Sequence, residues 1–337
     1  MRARPTVRVC DSTLRDGSHP RRHAYSVEEV RLVAAGLDRA GVDIVEVSHG
    51  DGLGGSSINY GFSVTDEFEL IEAAAGSMER ARLAVLLLPG IGVKEDLLRA
   101  QERGATVARV ATHCTEADVA IQHLRFARRA GLSVVGFLMM AHMAEPEHLA
   151  AQARIMADHG AHAVYVTDSA GALTPTAARA RVAALRAALP EEVEVGFHGH
   201  ANLGVAIANS LVAVDEGATL VDCCTCGLGA GAGNTPTELF AAVCEREGIA
   251  TGLDVMALLD VAEEVVRPLL PHGQTVDRGA ALLGYCGVYS SFLLHAERAA
   301  DRFDVPASAI LLELGRRGAV GGQEDWIIEV AAELARA

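Results

Sequence analysis

Two short stretches hold most of the residues whose types and spacing suit catalysis. In the first, "LRDGSH", Arg15, Asp16 and His19 follow a strand-like run around Val7 and Val9. A turn needs Gly17 and can use Ser18, but it has no use for a guanidinium, a carboxylate and an imidazole together. The second, "FHGHAN", carries His198 and His200. Residues two apart in a strand face the same way, so both imidazoles point together. With Asp16 they make two nitrogen donors and one carboxylate oxygen, a set that suits a divalent metal with open coordination positions. Arg15, beside a ligand, either stabilises negative charge developing on an oxygen or forms a structural ion pair. The imidazole of His19 can take or give a proton. Together these parts make a site for a reaction through an enolate, with the metal and Arg15 holding the oxyanion while His19 moves the proton.

Such a constellation needs a scaffold that brings distant strand ends together. Eight strand-like runs are present: "TVRVCDSTL", "DIVEVSHG", "LAVLLLPG", "VARVATHC", "SVVGFLMM", "AVYVTDSAG", "EVGFHGHAN" and "TLVDCCTCG". Amphipathic helical patterns lie between them, the first opened by a capping box of Ser26 and Glu29. Helices end in Gly41, Gly104, Gly131, Gly160 and Gly217, where glycine supplies a left-handed cap. The steps from Gly104 to Gly131 and Gly160 are 27 and 29 residues, about one βα unit each. Eight such units before about residue 250 predict an α/β fold, a (β/α)8 TIM barrel over 1–250. An open doubly wound sheet would carry a GxGxxG after its first strand, where "DSTLRDG" stands instead. Beyond Gly248 the patterns turn helical. "LDVMALLDVAEEVVRPLL", "YSSFLLHAERAADRF", "ASAILLELGRRG" and "QEDWIIEVAAELARA" predict a helical C-terminal region over 251–337, with its joint at "RPLLPHGQTVDRG". In a barrel of this kind function sits at the C-terminal strand ends, where Asp16 and the "HGH" both fall.

Other features serve the same site or none. Asp168 and Ser169 end the sixth strand, where Ser169 either holds a substrate carboxylate or caps the loop. Leu86 and Leu88 share a strand face and either shape a side pocket or pack in the core. Cys223, Cys224 and Cys226 lack CxxC spacing and read as small strand residues rather than metal ligands. The glycines of "GLGAGAGN" allow close backbone approach to a ligand, but the Walker ending is missing. The net charge of −15 argues against a nucleic-acid binder. No run approaches the roughly 20 apolar residues of a membrane span, and "MRARPTVRVC" has no secretory apolar core. Seven cysteines without scaffold spacing suit a reducing cytoplasm.

Several longer motifs carry a resemblance over residues 9 to about 332: "DSTLRDGSH", "GDGLGGSSINYGF", "LLLPGIG", "ARVATHCTEADV", "VGFLMMAHM", "GAGAGN", "GVYSSFLLHAERAA" and "GGQEDWI". The chain resembles the 4-hydroxy-2-oxovalerate aldolases, pyruvate-specific, metal-dependent lyases of aromatic catabolism in the hydroxymethylglutaryl-CoA lyase-like superfamily. The resemblance implies cleavage of a 4-hydroxy-2-oxoacid to pyruvate and an aldehyde. It assigns the metal, usually manganese with magnesium or cobalt as alternatives, to Asp16, His198 and His200. It makes Arg15 the stabiliser of the pyruvate enolate, His19 the base on the 4-hydroxyl, and Ser169 a contact of the pyruvate carboxylate. Tyr289, Leu86 and Leu88 shape the aldehyde side. It also implies an oligomer that pairs with an acylating aldehyde dehydrogenase through the C-terminal region. The chain departs from the family pattern at the cysteine cluster and at Ala201, neither a ligand position. A Claisen-type acyl-CoA condensing synthase, a biotin-dependent carboxyltransferase subunit and a non-catalytic binding subunit are the rival readings. The carboxyltransferase needs a carboxylated lysine, and Lys94, the only lysine, sits in a predicted helix.

Overall fold

The computed structural model describes residues 6–271 and 273–336; Met1 to Pro5, His272 and Ala337 lie outside them, and with them the start of the leader reading and one residue of the predicted joint. Eight parallel strands close into a barrel in chain order: β1 (Arg8–Asp11), β2 (Ile44–Glu46), β3 (Arg82–Leu87), β4 (Val107–His113), β5 (Ser133–Met139), β6 (Ala163–Asp168), β7 (Glu194–Gly199) and β8 (Leu220–Cys223). Seven of the eight runs read from the sequence contain their strand whole, and β3 starts one residue ahead of its run, at Arg82. The first helix, α1 (Val27–Arg39), is opened by the expected capping box: Ser26 Oγ accepts from the Glu29 N–H, and the Glu29 carboxylate accepts from the Ser26 N–H at 2.7 Å. The five expected cap glycines all have left-handed backbone, with φ between 87° and 107°.

Two apolar layers hold the barrel. Its interior is filled by Ile44, Leu86, Val107, Val135, Phe137 and Tyr165, among others. A larger shell, including Val33, Leu37, Val85, Val110, Val134 and Val164, packs strands against helices. This double burial is why the strands read as nearly continuous apolar runs rather than alternating ones.

After the helix that succeeds β8, Thr237–Arg246, a helix runs from Val255 through a π-turn over Val261–Val266. It packs on α1 and gives Leu258, Val261 and Val266 to the barrel's outer shell. Four helices then surround a separate core: Arg278–Cys286, Phe292–Phe303, Ala307–Arg317 and Asp325–Leu334. The first of these was not read from the sequence, although Asp277 caps it and Gly287 ends it. The second starts at Phe292, three residues later than expected. Tyr289, Ser290 and Ser291 form instead a turn that is bonded to the barrel: Ser290 Oγ donates to the Ser169 carbonyl at 2.7 Å and accepts from Asn202 Nδ2 at 2.9 Å.

A second tie is His142, after β5, whose Nε2 lies 3.1 Å from the Gly287 carbonyl. Burial lowers its pKa to about 4, so it is neutral near pH 7. The unfolded chain, with an ordinary imidazole near 6.5, takes up this proton first, so stability present above about pH 6.5 is lost as the pH falls towards 4. By pH 5 the loss is about 2 kcal/mol. A His142→Gln variant should therefore lose less melting temperature than the parent between pH 7 and pH 5. Equal losses would remove His142 from the acid response.

Candidate active site

The sequence "DST" anchors the turn that leaves β1. Buried Asp11 accepts hydrogen bonds from the Thr13 N–H (2.9 Å) and from the Thr225 and Thr237 hydroxyls (2.8 and 2.6 Å), and Thr13 Oγ1 accepts from the Thr225 N–H. These bonds fasten the chain after β1 to the chain after β8. The next residues turn into a short 3-10 segment, Asp16–Ser18, that holds Arg15 and Asp16 buried at the barrel mouth.

The β7 pair meets them there. His198 Nε2 lies 3.2 Å from an Asp16 oxygen and 3.2 Å from His200 Nε2, and His200 Nε2 lies 3.7 Å from the same oxygen. The other ring nitrogens fix the tautomers. His198 Nδ1 pairs with Asp222 at 2.8 Å, and His200 Nδ1 faces the Ala230 carbonyl at 3.3 Å. Each neutral ring then carries its proton on Nδ1 and presents a bare Nε2 lone pair. Two lone pairs and a carboxylate crowded this closely need a cation between them, so the residues fit a metal. Asn234 Nδ2 also touches the group, 2.9 Å from Asp16 and 3.1 Å from His198, while its Oδ1 is buried without a partner.

The electrostatics agree with a ligand set. Burial disfavours a charged Asp16, but the neighbouring Arg15 and the two imidazoles outweigh it and hold the carboxyl well below its ordinary range. Burial lowers the His200 pKa to about 4. His198 is raised, because its bonds to Asp16 and Asp222 overcome the burial that opposes its charge.

Beside Asp16, His198 and Arg15 lies a charged layer that the sequence reading did not pick out. Arg109 on β4 is fully buried, its guanidinium over both the Phe137 and Tyr165 rings, bonding Glu46 at 2.8 Å and Asp222 directly. Glu46 in turn accepts from Arg15 Nε at 2.9 Å. Arg109 thus joins the carboxylate that orients Arg15 to the one that orients His198. The register explains the second contact, since His198 stands directly beside Asp222 in the β7–β8 pair. The signal was a charged residue inside an otherwise apolar strand, three times over: "IVE", "VARV" and "LVDC". Asp222→Asn, which keeps the shape and loses the charge, should weaken divalent-metal affinity by about 10–100-fold. Isothermal titration of the metal-stripped protein measures this, and unchanged affinity would show that His198 needs no carboxylate behind it.

One cavity gathers every predicted site residue: Arg15, Asp16, His19, Leu86, Leu88, Ser169, His198, His200 and Tyr289 all line it. Arg15 Nη2 is buried there without a partner. Ser169 Oγ accepts from the Met140 N–H at 3.0 Å, and the loop-capping considered for it falls to Asp168, which accepts from the Ala172 and Leu173 N–H groups. Thr167 also lines the cavity with an unpartnered hydroxyl, two residues before Ser169 on the same strand face, a spacing that would have found it. Tyr289 arrives from the C-terminal region, its phenol held above the ordinary range by burial. Cys223 and Cys224 are buried and Cys226 points at the Ala262 carbonyl, so the cluster joins no metal-ligating group among the described residues.

The glycine-rich loop differs from its expectation. A side chain at Gly229 would lie 1.7 Å from Asn234 Oδ1, and one at Gly231 would lie 2.5 Å from Asn202 Oδ1. These glycines make room for two asparagines rather than for a ligand.

Known proteins divide along the same line as this chain. An HMGL-like family model matches residues 6–265, and a DmpG-like communication domain matches residues 274–336. The chain is 56% identical to 4-hydroxy-2-oxovalerate aldolase 4 of Rhodococcus jostii, over 98% of its own length and 94% of that protein. It is 57% identical to a 4-hydroxy-2-oxovalerate aldolase of Thermomicrobium roseum, over 98% and 92%. The chain belongs to the 4-hydroxy-2-oxovalerate aldolase family. Among solved structures, the carboxyl transferase domain of Rhizobium etli pyruvate carboxylase matches with a TM-score of 0.83 at 18% identity, over 98% of this chain and 60% of that one, a likeness of fold alone. Lys94, the only lysine of this aldolase-family chain, opens the helix Lys94–Glu102 and is not among the residues lining the cavity. No helix among the described residues is long and apolar enough to cross a membrane.

Proposed function

We propose that this chain is a carbon–carbon lyase that cleaves a 4-hydroxy-2-oxoacid, 4-hydroxy-2-oxopentanoate or a longer homologue, to pyruvate and an aldehyde, and that it runs the reverse aldol addition. The carrying observation is the meeting of Asp16, His198 and His200 with Arg15 and His19 in one cavity. Asp16, His198 and His200 would hold the divalent ion, for which manganese is the first choice and magnesium or cobalt the alternatives. When bound, such an ion supplies Lewis-acid stabilisation of negative charge on a substrate oxygen.

The chain's own groups do the rest. Ser169 receives the substrate carboxylate. His19 takes the proton from the 4-hydroxyl. As the C4 oxygen becomes a carbonyl, the C3–C4 bond breaks and its electron pair passes to C3, giving the aldehyde and the enolate of pyruvate. The unpartnered Nη2 of Arg15 donates to the enolate oxygen, and protonation at C3 completes the product. Leu86, Leu88 and Tyr289 bound the aldehyde side.

The division of labour belongs to the same proposal: a catalytic barrel over 1–250 and a helical partner-contact region over 251–337. The match to a communication domain supports an acylating aldehyde dehydrogenase as the partner. The proposal also holds the chain to be an oligomer in the cytoplasm, a compartment that suits seven free cysteines. The decisive experiment measures pyruvate release from racemic 4-hydroxy-2-oxopentanoate with chelator-stripped protein. Release on adding manganese, and none without it, is the expected result. Absence of pyruvate with manganese bound would overturn the substrate assignment, and thiol release from acetyl-CoA would then establish the condensing synthase.

A further inference from the structure

A second group of ligating side chains stands beside the first. One donor atom each from His19, His23 and Asp51 lie within 4.8 Å of one another, and both His23 and Asp51 are buried. The sequence reading gave His23 and Asp51 no part. His23 is 8% exposed, yet its Nδ1 has no hydrogen-bond partner, an orphaned lone pair in the interior. One face of the ring is stacked on His49, with centroids 3.7 Å apart. His49 is not a free donor, since its Nδ1 accepts from the Asp51 N–H at 3.1 Å and its Nε2 lies 3.1 Å from the Gly61 carbonyl. It acts as a wall that fixes the His23 ring.

Gly50 makes the approach possible. A side chain there would lie 2.8 Å from His19 Nε2 and 2.9 Å from His23 Cε1, so both rings turn into the volume that glycine leaves free. Burial, with the neighbouring His19 and His49 rings, lowers the His23 pKa to about 3, which keeps it an uncharged donor. Two imidazole nitrogens and one carboxylate oxygen, the same donor types as at Asp16, His198 and His200, suit a divalent transition-metal ion, and zinc binds such a set tightly.

We propose that His19, His23 and Asp51 form a second, inhibitory site for a borderline divalent cation such as Zn²⁺. The inhibition rests on the proposed role of His19 as the base of the lyase: a cation on its ring occupies the lone pair that must take the 4-hydroxyl proton. His19 and Asp51 line both the inner cavity and the wider cleft outside it, so the ion reaches its site from the cleft.

The test equilibrates the manganese-loaded enzyme with increasing zinc chloride, counting both metals per chain by mass spectrometry and recording turnover on the same samples. The expected result is one manganese retained, one zinc gained, and turnover reduced at least tenfold. His23→Gln and Asp51→Asn should each keep manganese, lose the added zinc, and be at least tenfold less sensitive to zinc relative to their own zinc-free rates. Two variants guard against one that fails to fold. One-for-one exchange of manganese by zinc, or an added zinc that persists in both variants, would overturn the site. An added zinc with undiminished turnover would overturn the inhibition and the role of His19 as base together. A fully active enzyme that gains no zinc would overturn the second site alone.

Discussion

His200→Ala protein, purified and supplied with micromolar manganese, should release pyruvate from 4-hydroxy-2-oxopentanoate at least about 10³-fold more slowly than the parent. The substitution removes one of three donors and leaves His198 and Asp16, which are 3.2 Å apart, as a two-point site. It also removes the Nδ1 contact to Ala230, and with it one tie on the glycine-rich loop. Fold and site are separable in the assay. His200 lies beyond the end of β7, outside the strand ladder, so circular dichroism and the melting curve should stay close to those of metal-free parent protein. Metal titration should show the affinity loss directly, and millimolar manganese should restore only part of the rate. Parent-like turnover at micromolar manganese would show that His200 is not a ligand, and the site would have to be rebuilt around Asn234, which already touches both Asp16 and His198.

Arg15→Lys should lower kcat by about 10²–10³, or about 2.7–4 kcal/mol, with a much smaller change in KM. Lysine keeps the positive charge but not the fork. In the parent Nε is committed to Glu46, Nη1 lies 3.4 Å from Asp16, and Nη2 is left over, facing no protein acceptor. Only a planar group with several fixed donors keeps those two anchors and still has one to spare for an enolate oxygen. Exchange of the pyruvate methyl protons with solvent, monitored by NMR, isolates this step because it needs the enolate and no aldehyde. Exchange should fall in parallel with kcat. Normal exchange with slow cleavage would move Arg15 from the enolate to the breaking of the C3–C4 bond.

The barrel was legible because its strands are apolar on both faces and its helices are punctuated by glycine and by caps such as Ser26. The candidate metal site was legible for a narrower reason: "HGH" brings two imidazoles together at the end of the seventh strand, and Asp16 lies in the turn that leaves the first strand at the same end of the barrel. Arg109, Glu46 and Asp222 escaped because a charge inside a strand shows its purpose only when the register sets it beside another charge. Asn202 and Asn234 were hidden by their own neighbourhood, since glycines that seem to open space for a ligand were vacated for these side chains. Nothing in spacing or composition leads to Tyr289, which is far along the chain from the barrel strands; the family resemblance alone pointed to it. The helix over Arg278–Cys286 was overlooked because only its first two residues fall in the stretch read as a joint, and the rest lies between that joint and the run beginning at Tyr289, where no element was read.

The turn that carries Tyr289 is stitched to the barrel at Ser169, Asn202 and, through Gly287, His142. The reaction chamber is therefore not the property of the barrel. Its last wall is delivered by a segment that folds around a different core, and severing the chain before that segment would leave a bowl open to water where the whole chain has a room. Those bonds are the direct connection through which a displacement of the C-terminal helices would reach the wall of the chamber. The part of the molecule that matches a communication domain is also the part that sets the shape in which the substrate must fit.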